Sequence, residues 1–357
     1  MDQISGSIIQ WYHVAKRDLP WRQTTDPYHI WLSEVILQQT RIAQGLAYYN
    51  KFLEIFPNVE ILANASEDQV LEHWQGLGYY SRARNLHASA KHISSHFNGK
   101  FPENYEGLIQ LKGIGDYTAS AIASFAFHED KVVVDGNVIR VVSRLLGIDS
   151  DVRQAKTVIQ LKSFVESILP KGESYFFNQG IMELGALICI PRNPKCGECP
   201  IQTHCVASKK NLTEVIPFKS KLKTKKVRFL NYLLIEAKNE FLFIKRGAGD
   251  IWEGLYEPLL IEAETAFDSF DSFIGHEILS DPNNAIEKVR LLPAKKHILT
   301  HQELWVTLCL VRLKIKPPVL AGVWVKTEKL NATPKPIIIS KLLSALEAGQ
   351  LHLDFKS

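Results

Sequence analysis

The chain has 357 residues, of which 46% are hydrophobic and 22% charged, and its formal net charge is +4. This composition is ordinary for a soluble globular protein, and the length allows two or three domains. The apolar runs are far shorter than a membrane span, which excludes a membrane-crossing protein. The amino terminus has no charged leader before an apolar stretch, so we expect no signal peptide and a cytoplasmic location.

The first part of the chain, to about residue 206, has apolar residues at helical spacing. The clearest segments are YHIWLSEVILQQT, YYSRARNLHASAKHI, YTASAIASFAF, NVIRVVSRLLG and NQGIMELGALIC. We therefore predict an all-α domain over residues 1–206.

Two carboxylates stand out within these helices. Glu34 lies inside the apolar segment IWLSEVILQQT, where burial should raise its pKa. Asp135 follows VVV and precedes GNVIRVV, at the start of a helix. Taken singly, Glu34 fits a structural salt bridge and Asp135 fits an N-cap. Taken together, two carboxylates in different environments suggest an acid and a stabilising anion, the pair used to cleave a glycosidic bond.

Two glycine turns precede helices. In LKGIGDYTASAIASFAF, Gly113 and Gly115 lie just before a helix that starts at about Asp116, whose N–H groups would point at an anion. A helix–hairpin–helix holds a DNA phosphate in this way, although a plain helical corner has the same pattern. In WQGLGYYSRARNL, Tyr79 and Tyr80 beside arginines suit base stacking, and packing in a core would also explain them.

Four of the five cysteines fall in one loop with the spacing C-x6-C-x2-C-x5-C, at Cys189, Cys196, Cys199 and Cys205. In a reducing compartment, clustered cysteines indicate a metal site rather than disulfides. Four thiolates suit a [4Fe–4S] cluster or a tetrahedral zinc ion. The loop has only one short cysteine pair and a long first gap, which favours iron–sulfur and leaves zinc as the alternative.

The pattern changes after a basic linker at residues 207–226. Between Ala207 and Arg228 there are eight Lys or Arg and one Glu, a local charge of +7, which suits contact with phosphate or a solvated linker. The segments RFLNYLLIEA, EFLFIKR and ELWVTLCLVRLKI favour strands, and Cys309 in the third is expected to be a core thiol. A closing amphipathic helix, IIISKLLSALEAG, completes a predicted α/β domain over residues 227–357.

A series of these motifs resembles one family. RDLPWR, WLSEVILQQT, GLGYYSRARNL, LKGIGDYTA, VVDGNVIRV and NQGIMELGALIC, followed by the cysteine loop, resemble in order the helix–hairpin–helix DNA glycosylases with an iron–sulfur loop. Within that family the series is similar to the MutY-type adenine DNA glycosylases. IKRGAGDIWEGLYEPLLIE resembles their Nudix-like domain, without the acidic Nudix signature, so we expect no pyrophosphate hydrolysis.

The resemblance implies a multidomain fold: an all-α helix–hairpin–helix glycosylase domain with a [4Fe–4S] loop, then a Nudix-like α/β domain. It implies a monomer that removes adenine mispaired with 8-oxoguanine or guanine in double-stranded DNA, with no membrane partner. The cluster would be structural and would shape a DNA-binding loop. Gly113 and Gly115 would hold a phosphate, in this family often through a bound monovalent cation.

The resemblance also implies residue roles. Glu34 would protonate adenine and Asp135 would stabilise the cationic sugar, with support from Tyr117 and Asn137. The flipped base and its opposing partner would be contacted by Arg17, Trp21, Gln179, Gln39, Thr40, Tyr79, Leu299, Thr300 and His301.

Two positions depart from relatives. Endonuclease III-like enzymes have a Schiff-base lysine where this chain has Tyr117, so the resemblance implies a monofunctional glycosylase. Leu299 replaces the aromatic residue of a Phe-Ser/Thr-His loop that inspects 8-oxoguanine, so selectivity would be reduced or supplied elsewhere.

Three alternative functions remain open. They are a bifunctional glycosylase for oxidised pyrimidines, a non-catalytic DNA-binding protein and a nucleotide pyrophosphatase. Tyr117 argues against the first, the pair of Glu34 and Asp135 against the second, and the missing acidic signature against the third.

Overall fold

The computed structural model describes residues 2–221, 224–280, 285–317 and 322–347. By their contacts they form two compact units, residues 1–64 with 85–222, and residues 65–84 with 223–357. The domain boundaries at 206 and 226 stay a prediction, because these units reflect packing rather than order along the chain. Within the described ranges, no helix is both long and apolar enough to cross a membrane.

Among the described residues, twelve α-helices precede the sheet. They are α1 (Asp2–Ala15), α2 (Pro27–Leu37), α3 (Ile42–Ile55), α4 (Val59–Asn64), α5 (Glu67–Trp74), α6 (Ser81–Phe97), α7 (Tyr105–Leu108), α8 (Asp116–Phe127), α9 (Gly136–Leu146), α10 (Ala155–Ser167), α11 (Ser174–Leu187) and α12 (Val206–Lys209). All lie in the first unit except α5 and the first turn of α6, which belong to the second. The helical prediction for this part of the chain is confirmed.

One hydrophobic core cluster of the first unit lies around α9 and α11. The apolar residues of α9 recur at helical spacing and are buried against those of α11: Val138, Val141, Val142 and Leu145 against Phe177, Ile181 and Leu184. The helices come so close that a Cβ on Gly185 would lie 2.6 Å from the Cβ of Asn137. This packing fixes the start of α9, next to Asp135, against α11.

The segment predicted as a linker begins with α12 and then packs on the first unit. Arg144 Nε donates a hydrogen bond to the carbonyl of Ile216 at 2.9 Å, and the backbone N–H of Val152 donates to the carbonyl of Phe218 at 3.1 Å. Residues 222–223 of the predicted linker lie outside the described residues. The described part, up to residue 221, is therefore attached to the helical unit.

The second unit contains a seven-stranded sheet. Its elements are β1 (Lys226–Ala237), β2 (Glu240–Lys245), β3 (Tyr256–Glu257), β4 (Leu259–Ala263), α13 (Glu277–Ser280), β5 (Ile286–Ile298), β6 (Gln302–Leu313), β7 (Val323–Lys326) and α14 (Ile337–Glu347). The main order is β3-β2-β1-β6-β5, with β4 paired to β1 and β7 to β2. Strands β1 and β6 are parallel, and β5 and β6 are antiparallel.

Alternate residues of β1 face two cores. Leu230, Tyr232 and Leu234 pack on one face with apolar residues of α14, and Leu233 and Ile235 pack on the other. Cys309 is fully buried on that other face, so its prediction as a core thiol is confirmed. The predicted closing helix is observed through Glu347, and its residues 348–349 lie outside the described residues.

Candidate active site

One pocket of the first unit brings together nine of the thirteen residues predicted to be catalytic or to contact the substrate. Its volume is about 540 Å³. Nine predicted residues line it: Arg17, Trp21, Glu34, Gln39, Thr40, Tyr117, Asp135, Asn137 and Gln179. Arg22, Gln38 and Glu183 also line it and were not predicted as site residues.

Glu34 is a buried acid on α2. Most of its neighbours along the helix are apolar, and its own exposed fraction is only 7%. The hydroxyl of Tyr117 donates a hydrogen bond to Glu34 Oε2 at 2.6 Å. Burial raises the pKa of Glu34 to about 7, with the hydrogen bond from Tyr117 opposing the shift and the nearby charge of Asp135 adding to it. The expected rise in pKa is confirmed, and a fraction of Glu34 holds a proton at neutral pH.

Asp135 is the N-cap of α9. Its Oδ1 accepts from the backbone N–H groups of Asn137 at 2.9 Å and Val138 at 2.8 Å, and its Oδ2 accepts from Asn137 Nδ2 at 2.7 Å. Burial raises its pKa, while these three hydrogen bonds favour the anion. The cap and the position in the pocket therefore coincide, because the N-cap places the carboxylate at the pocket wall.

A buried ion cluster forms another wall. Glu183 on α11 accepts from Arg17 Nε at 2.8 Å and from Arg22 Nη2 at 2.9 Å. Arg22 Nε also donates to Gln179 Oε1 at 3.0 Å. Burial alone would raise the pKa of Glu183, but hydrogen bonds from the two arginines lower it to about 2. An acid within the apolar segment NQGIMELGALIC was the signal that could have identified it.

The glycine turn leads into α8, which begins at Asp116 as predicted. Gly113 has a left-handed φ of 77°, and a Cβ there would lie 2.5 Å from the Cβ of Asn85, so both backbone angle and space require glycine. Gly115 is the N-cap of α8 and faces open space. The Asp116 carboxylate accepts from Lys162 Nζ at 3.0 Å, which neutralises the acid at the helix start.

The four cysteines line one small cavity beside Arg144. Burial, together with the neighbouring thiols of the other three cysteines, raises the pKa of Cys199 to about 11. A bound metal centre would reverse this effect, since coordinated thiols are deprotonated. The donor set therefore fits a centre held by four thiolates.

Arg140 connects the cysteine loop to Asp135. Its Nε donates to the carbonyl of Cys189 at 2.7 Å, and its Nη2 donates to Asn137 Oδ1 at 2.9 Å and to the carbonyl of Gly185 at 2.7 Å. Asn137 in turn donates to Asp135. A continuous series of hydrogen bonds thus runs from Cys189 to Asp135.

The remaining predicted contacts lie in a second pocket, within the second unit. It measures about 470 Å³ and is lined in part by Tyr79, Leu299, Thr300 and His301. The last three form the turn between β5 and β6, and the hydroxyls of Tyr79 and Thr300 are hydrogen-bonded. Tyr79 is 42% exposed and Tyr80 only 6%, so the stacking and core interpretations of this pair each fit one tyrosine.

Three family models match the chain. Residues 32–167 match the HhH-GPD superfamily base excision DNA repair protein, residues 189–205 the iron–sulfur binding domain of endonuclease III, and residues 231–345 a NUDIX domain. The cysteine loop is therefore an iron–sulfur loop, which decides against the zinc alternative.

Whole proteins match as well. The chain is 33% identical over 364 residues to an adenine DNA glycosylase of Buchnera aphidicola subsp. Baizongia pistaciae (strain Bp), with 97% of each sequence covered. It is 41% identical over 211 residues to the adenine DNA glycosylase of Homo sapiens, covering 57% of this chain and 39% of the human protein. A thermostable thymine-DNA glycosylase of known structure is 28% identical, with a TM-score of 0.53 over 58% of this chain and 95% of that one. Because the first match extends along almost the whole length, the chain belongs to the adenine DNA glycosylases, a family of base excision repair enzymes.

Proposed function

We propose that this enzyme removes adenine from A:8-oxoguanine and A:guanine mispairs in double-stranded DNA by hydrolysing the N-glycosidic bond. One observation carries the proposal: a buried acid with a pKa of about 7, Glu34, and a capped carboxylate, Asp135, line the same pocket. Two carboxylates in different environments match what glycosidic cleavage needs, which is an acid for the leaving group and an anion for the sugar cation.

Glu34 is the acid of the proposed reaction. It gives its proton to the adenine base, and the bond between the base and the C1′ carbon breaks as neutral adenine leaves. The carboxylate left on Glu34 can then accept a proton from the water that adds to C1′. The hydroxyl of Tyr117 holds Glu34 in position at 2.6 Å.

Asp135 is the anion that stabilises the oxocarbenium ion of the sugar. Burial raises the pKa of Asp135, and its three hydrogen bonds, two of them from Asn137, oppose that rise and orient the carboxylate. Such preorganised charge is a major source of transition-state stabilisation.

The pocket fits a base taken out of the duplex, because a glycosylase cannot reach the bond inside the stack. Arg17, Trp21 and Gln179 would contact the flipped adenine. Gln39 and Thr40, in the turn after α2, would contact the duplex on the same side.

The DNA backbone would be held by two parts of the first unit. The turn at Gly113 and Gly115 would hold a phosphate at the start of α8, with a monovalent cation bound there. The four cysteines would hold a [4Fe–4S] cluster, whose role is to shape the loop that presents Arg192 and Lys195 to DNA.

Recognition of the oxidised guanine would fall to Tyr79 and to the turn of Leu299, Thr300 and His301. We also propose that the enzyme is a cytoplasmic monomer with a glycosylase domain over 1–206, a linker over 207–226 and a recognition domain over 227–357.

The first test is a single-turnover assay on duplexes whose adenine-containing strand is labelled, with the adenine opposite 8-oxoguanine, guanine or thymine, read with and without hot alkali. We expect alkali-dependent cleavage, fastest opposite 8-oxoguanine. The matched control is Glu34→Gln, which should bind duplex but release no adenine. Absence of base loss from every mispair, in protein that contains its iron–sulfur centre, would refute the proposal.

Monofunctional chemistry is tested separately with borohydride. Tyr117 stands where a Schiff-base lysine would be needed and cannot form an imine with the sugar. We expect no efficient covalent trapping on an adenine substrate, and efficient trapping would show lyase chemistry by another residue.

A further inference from the structure

Backbone strain marks three large side chains. Nine described residues other than glycine have a left-handed φ. Six of them are in places where this conformation is common. Four are asparagines (Asn98, Asn193, Asn211 and Asn239), His128 is the C-cap of α8, and Lys238 lies in the turn between β1 and β2. The other three are Gln39 at 58°, Tyr79 at 47° and Trp252 at 63°.

Bulky residues rarely adopt this conformation, which costs about 1–3 kcal/mol and persists where the surroundings enforce it, often at ligand-binding sites. Gln39 and Tyr79 already have proposed DNA contacts. Trp252 has no role in the proposed function.

The loop around Trp252 is held rigidly. Its ends are joined by hydrogen bonds from the backbone N–H of Arg246 to the carbonyl of Leu255 at 2.8 Å, and from that of Gly254 to the carbonyl of Arg246 at 3.0 Å. Asp250 accepts from Arg228 at 2.7 Å and from Arg246 at 2.5 Å. These charge-assisted bonds supply the constraint that a strained tryptophan requires.

The strained loop is also tied to the segment that carries Tyr79. Glu253, the residue after Trp252, forms an ion pair with Arg84 Nη2 at 3.2 Å, and its carbonyl accepts from Arg84 Nη1 at 2.5 Å. Tyr79 and Arg84 belong to the same compact unit as the loop. Polar contacts of Arg84 therefore join the Trp252 loop to the segment that carries Tyr79.

Trp252 forms part of the pocket predicted to inspect the oxidised base. It lines this pocket with Leu299 and Thr300, and its ring centroid is 6.2 Å from that of His297. Trp252 and Leu299 are both partly buried against the same apolar core. An aromatic surface is thus present beside the position where Leu299 lacks one.

We propose that Trp252 is a specificity-determining residue whose ring stacks on the oxidised purine opposite the adenine. This inference rests on the proposed function. 8-Oxoguanine carries an N–H at N7 where guanine has an acceptor, and the Thr300 hydroxyl can accept from that N–H. Stacking on Trp252 holds the base in the plane in which this hydrogen bond forms, so the ring converts a sequence-tolerant contact into discrimination.

The test compares single-turnover rates of adenine removal opposite 8-oxoguanine and opposite guanine, using the full-length enzyme with its iron–sulfur centre. We expect Trp252→Ala to reduce the 8-oxoguanine preference about tenfold, a loss in the range of one stacking contact. Trp252→Phe keeps a ring and should retain most of the preference. Adding Leu299→Phe to Trp252→Ala should restore part of it.

The matched control is Trp305→Ala. Trp305 is a half-buried tryptophan on β6 outside this pocket, and its removal should leave the preference unchanged. If Trp252→Ala does not fold, Trp252→Leu against Trp252→Phe makes the same comparison, because leucine keeps apolar volume without a ring.

Two results would overturn the role of Trp252. One is a folded Trp252→Ala enzyme with unchanged rates opposite both bases. The other is a rate that falls by the same factor opposite both bases, which would make the residue merely structural. A wild-type enzyme that removes no adenine opposite either base would instead refute the proposed function, so the two failures are distinguishable.

Discussion

Glu34 and Glu183 are both buried acids on apolar helices, yet their pKa values shift in opposite directions. Glu34 has a tyrosine hydroxyl as hydrogen-bond partner and its pKa rises to about 7. Glu183 has two arginines and its pKa falls to about 2. At neutral pH the first can donate a proton while the second is a permanent anion. The hydrogen-bond partners of the two acids therefore determine which one can transfer a proton and which one stays charged.

The pH profile of base removal should report Glu34. The acid must be protonated, so the single-turnover rate should fall above a pH of about 7. The hydrogen bond from Tyr117 lowers the pKa of Glu34. Tyr117→Phe should therefore move the alkaline limb to higher pH.

The control for this shift is Tyr28→Phe. It removes another buried hydroxyl, one that donates to the carbonyl of Phe56 at 2.6 Å, and should leave the limb in place. An unchanged limb in Tyr117→Phe would show that Glu34 does not set the profile.

Glu34 should also reduce stability at alkaline pH. Its pKa is 4.5 when unperturbed and about 7 in the fold, so between these values the folded state binds more protons and stability declines as pH rises. Above pH 7 the cost is about 3 kcal/mol. Glu34→Gln should remove this decline, as measured by urea unfolding at pH 5 and pH 8. An equal loss of unfolding free energy between pH 5 and pH 8 in both proteins would contradict the interpretation of Glu34 as a buried acid.

Sequence alone could identify Glu34 but not the role of Glu183. The pattern around Glu34 shows burial within a single helix, and burial is sufficient to predict its shift. The pKa of Glu183 depends on Arg17, which is 166 residues away along the chain. Arg17 reaches Glu183 only because α11 packs against the segment after α1, and the sequence does not show that contact.

At the level of elements, the junction of α9 and α11 determines where Asp135 and Asn137 lie. Gly185 allows this approach, because a Cβ there would meet Asn137 Cβ at 2.6 Å and the carbonyl oxygen of Asn137 at 3.1 Å. The contact is partly with backbone, which cannot turn aside as a flexible side chain can. The packing of α9 on α11 therefore also sets the positions of Asp135 and Asn137 in the candidate site.

Gly185→Ala should slow adenine removal and lower stability by about 1–3 kcal/mol through overpacking. Single-turnover rate and thermal midpoint are the measurements. Gly6→Ala on α1 is the control, since its Cβ would meet nothing within 4 Å and it should be neutral or stabilising. A Gly185→Ala enzyme with normal rate would show that the junction tolerates displacement.

The strands were predicted unequally. Strands β1, β2 and β6 have apolar runs typical of central positions and were identified from sequence. Strand β5 was missed because it lies at one end of the main strand order, has exposed residues along much of its length, and contains Pro293 within a register shift against β6. Edge strands with charge and proline resist aggregation but lose the pattern that predicts them.

At the level of the molecule, the two compact units do not follow chain order. Residues 65–84 lie between two parts of the first unit in sequence, yet they pack with residues 223–357. Asp68 accepts from Lys245 at 2.7 Å and from the Tyr256 hydroxyl at 2.9 Å, and Gln75 donates to Ser340 at 2.9 Å. The sequence could not predict this, because the segment is helical like its neighbours.

A chain ending at residue 221 should therefore lose protection selectively. Amide hydrogen exchange should become faster in α5, because Lys245, Tyr256 and Ser340 are removed, while α9 and α11 exchange as in the full chain. The full-length protein is the reference. Equal protection of α5 in both chains would show that these contacts contribute nothing to its stability.

The discontinuous second unit has a consequence during synthesis. Residue 84 leaves the ribosome well before residue 223, where the partner segment begins. At about 5–20 residues per second, the 139 residues between them take about 7–28 seconds to synthesise, and during that time α5 lacks its partners. The nascent chain therefore carries an unpaired segment inside an otherwise complete helical part, and a chaperone that shields residues 65–84 would act in that interval.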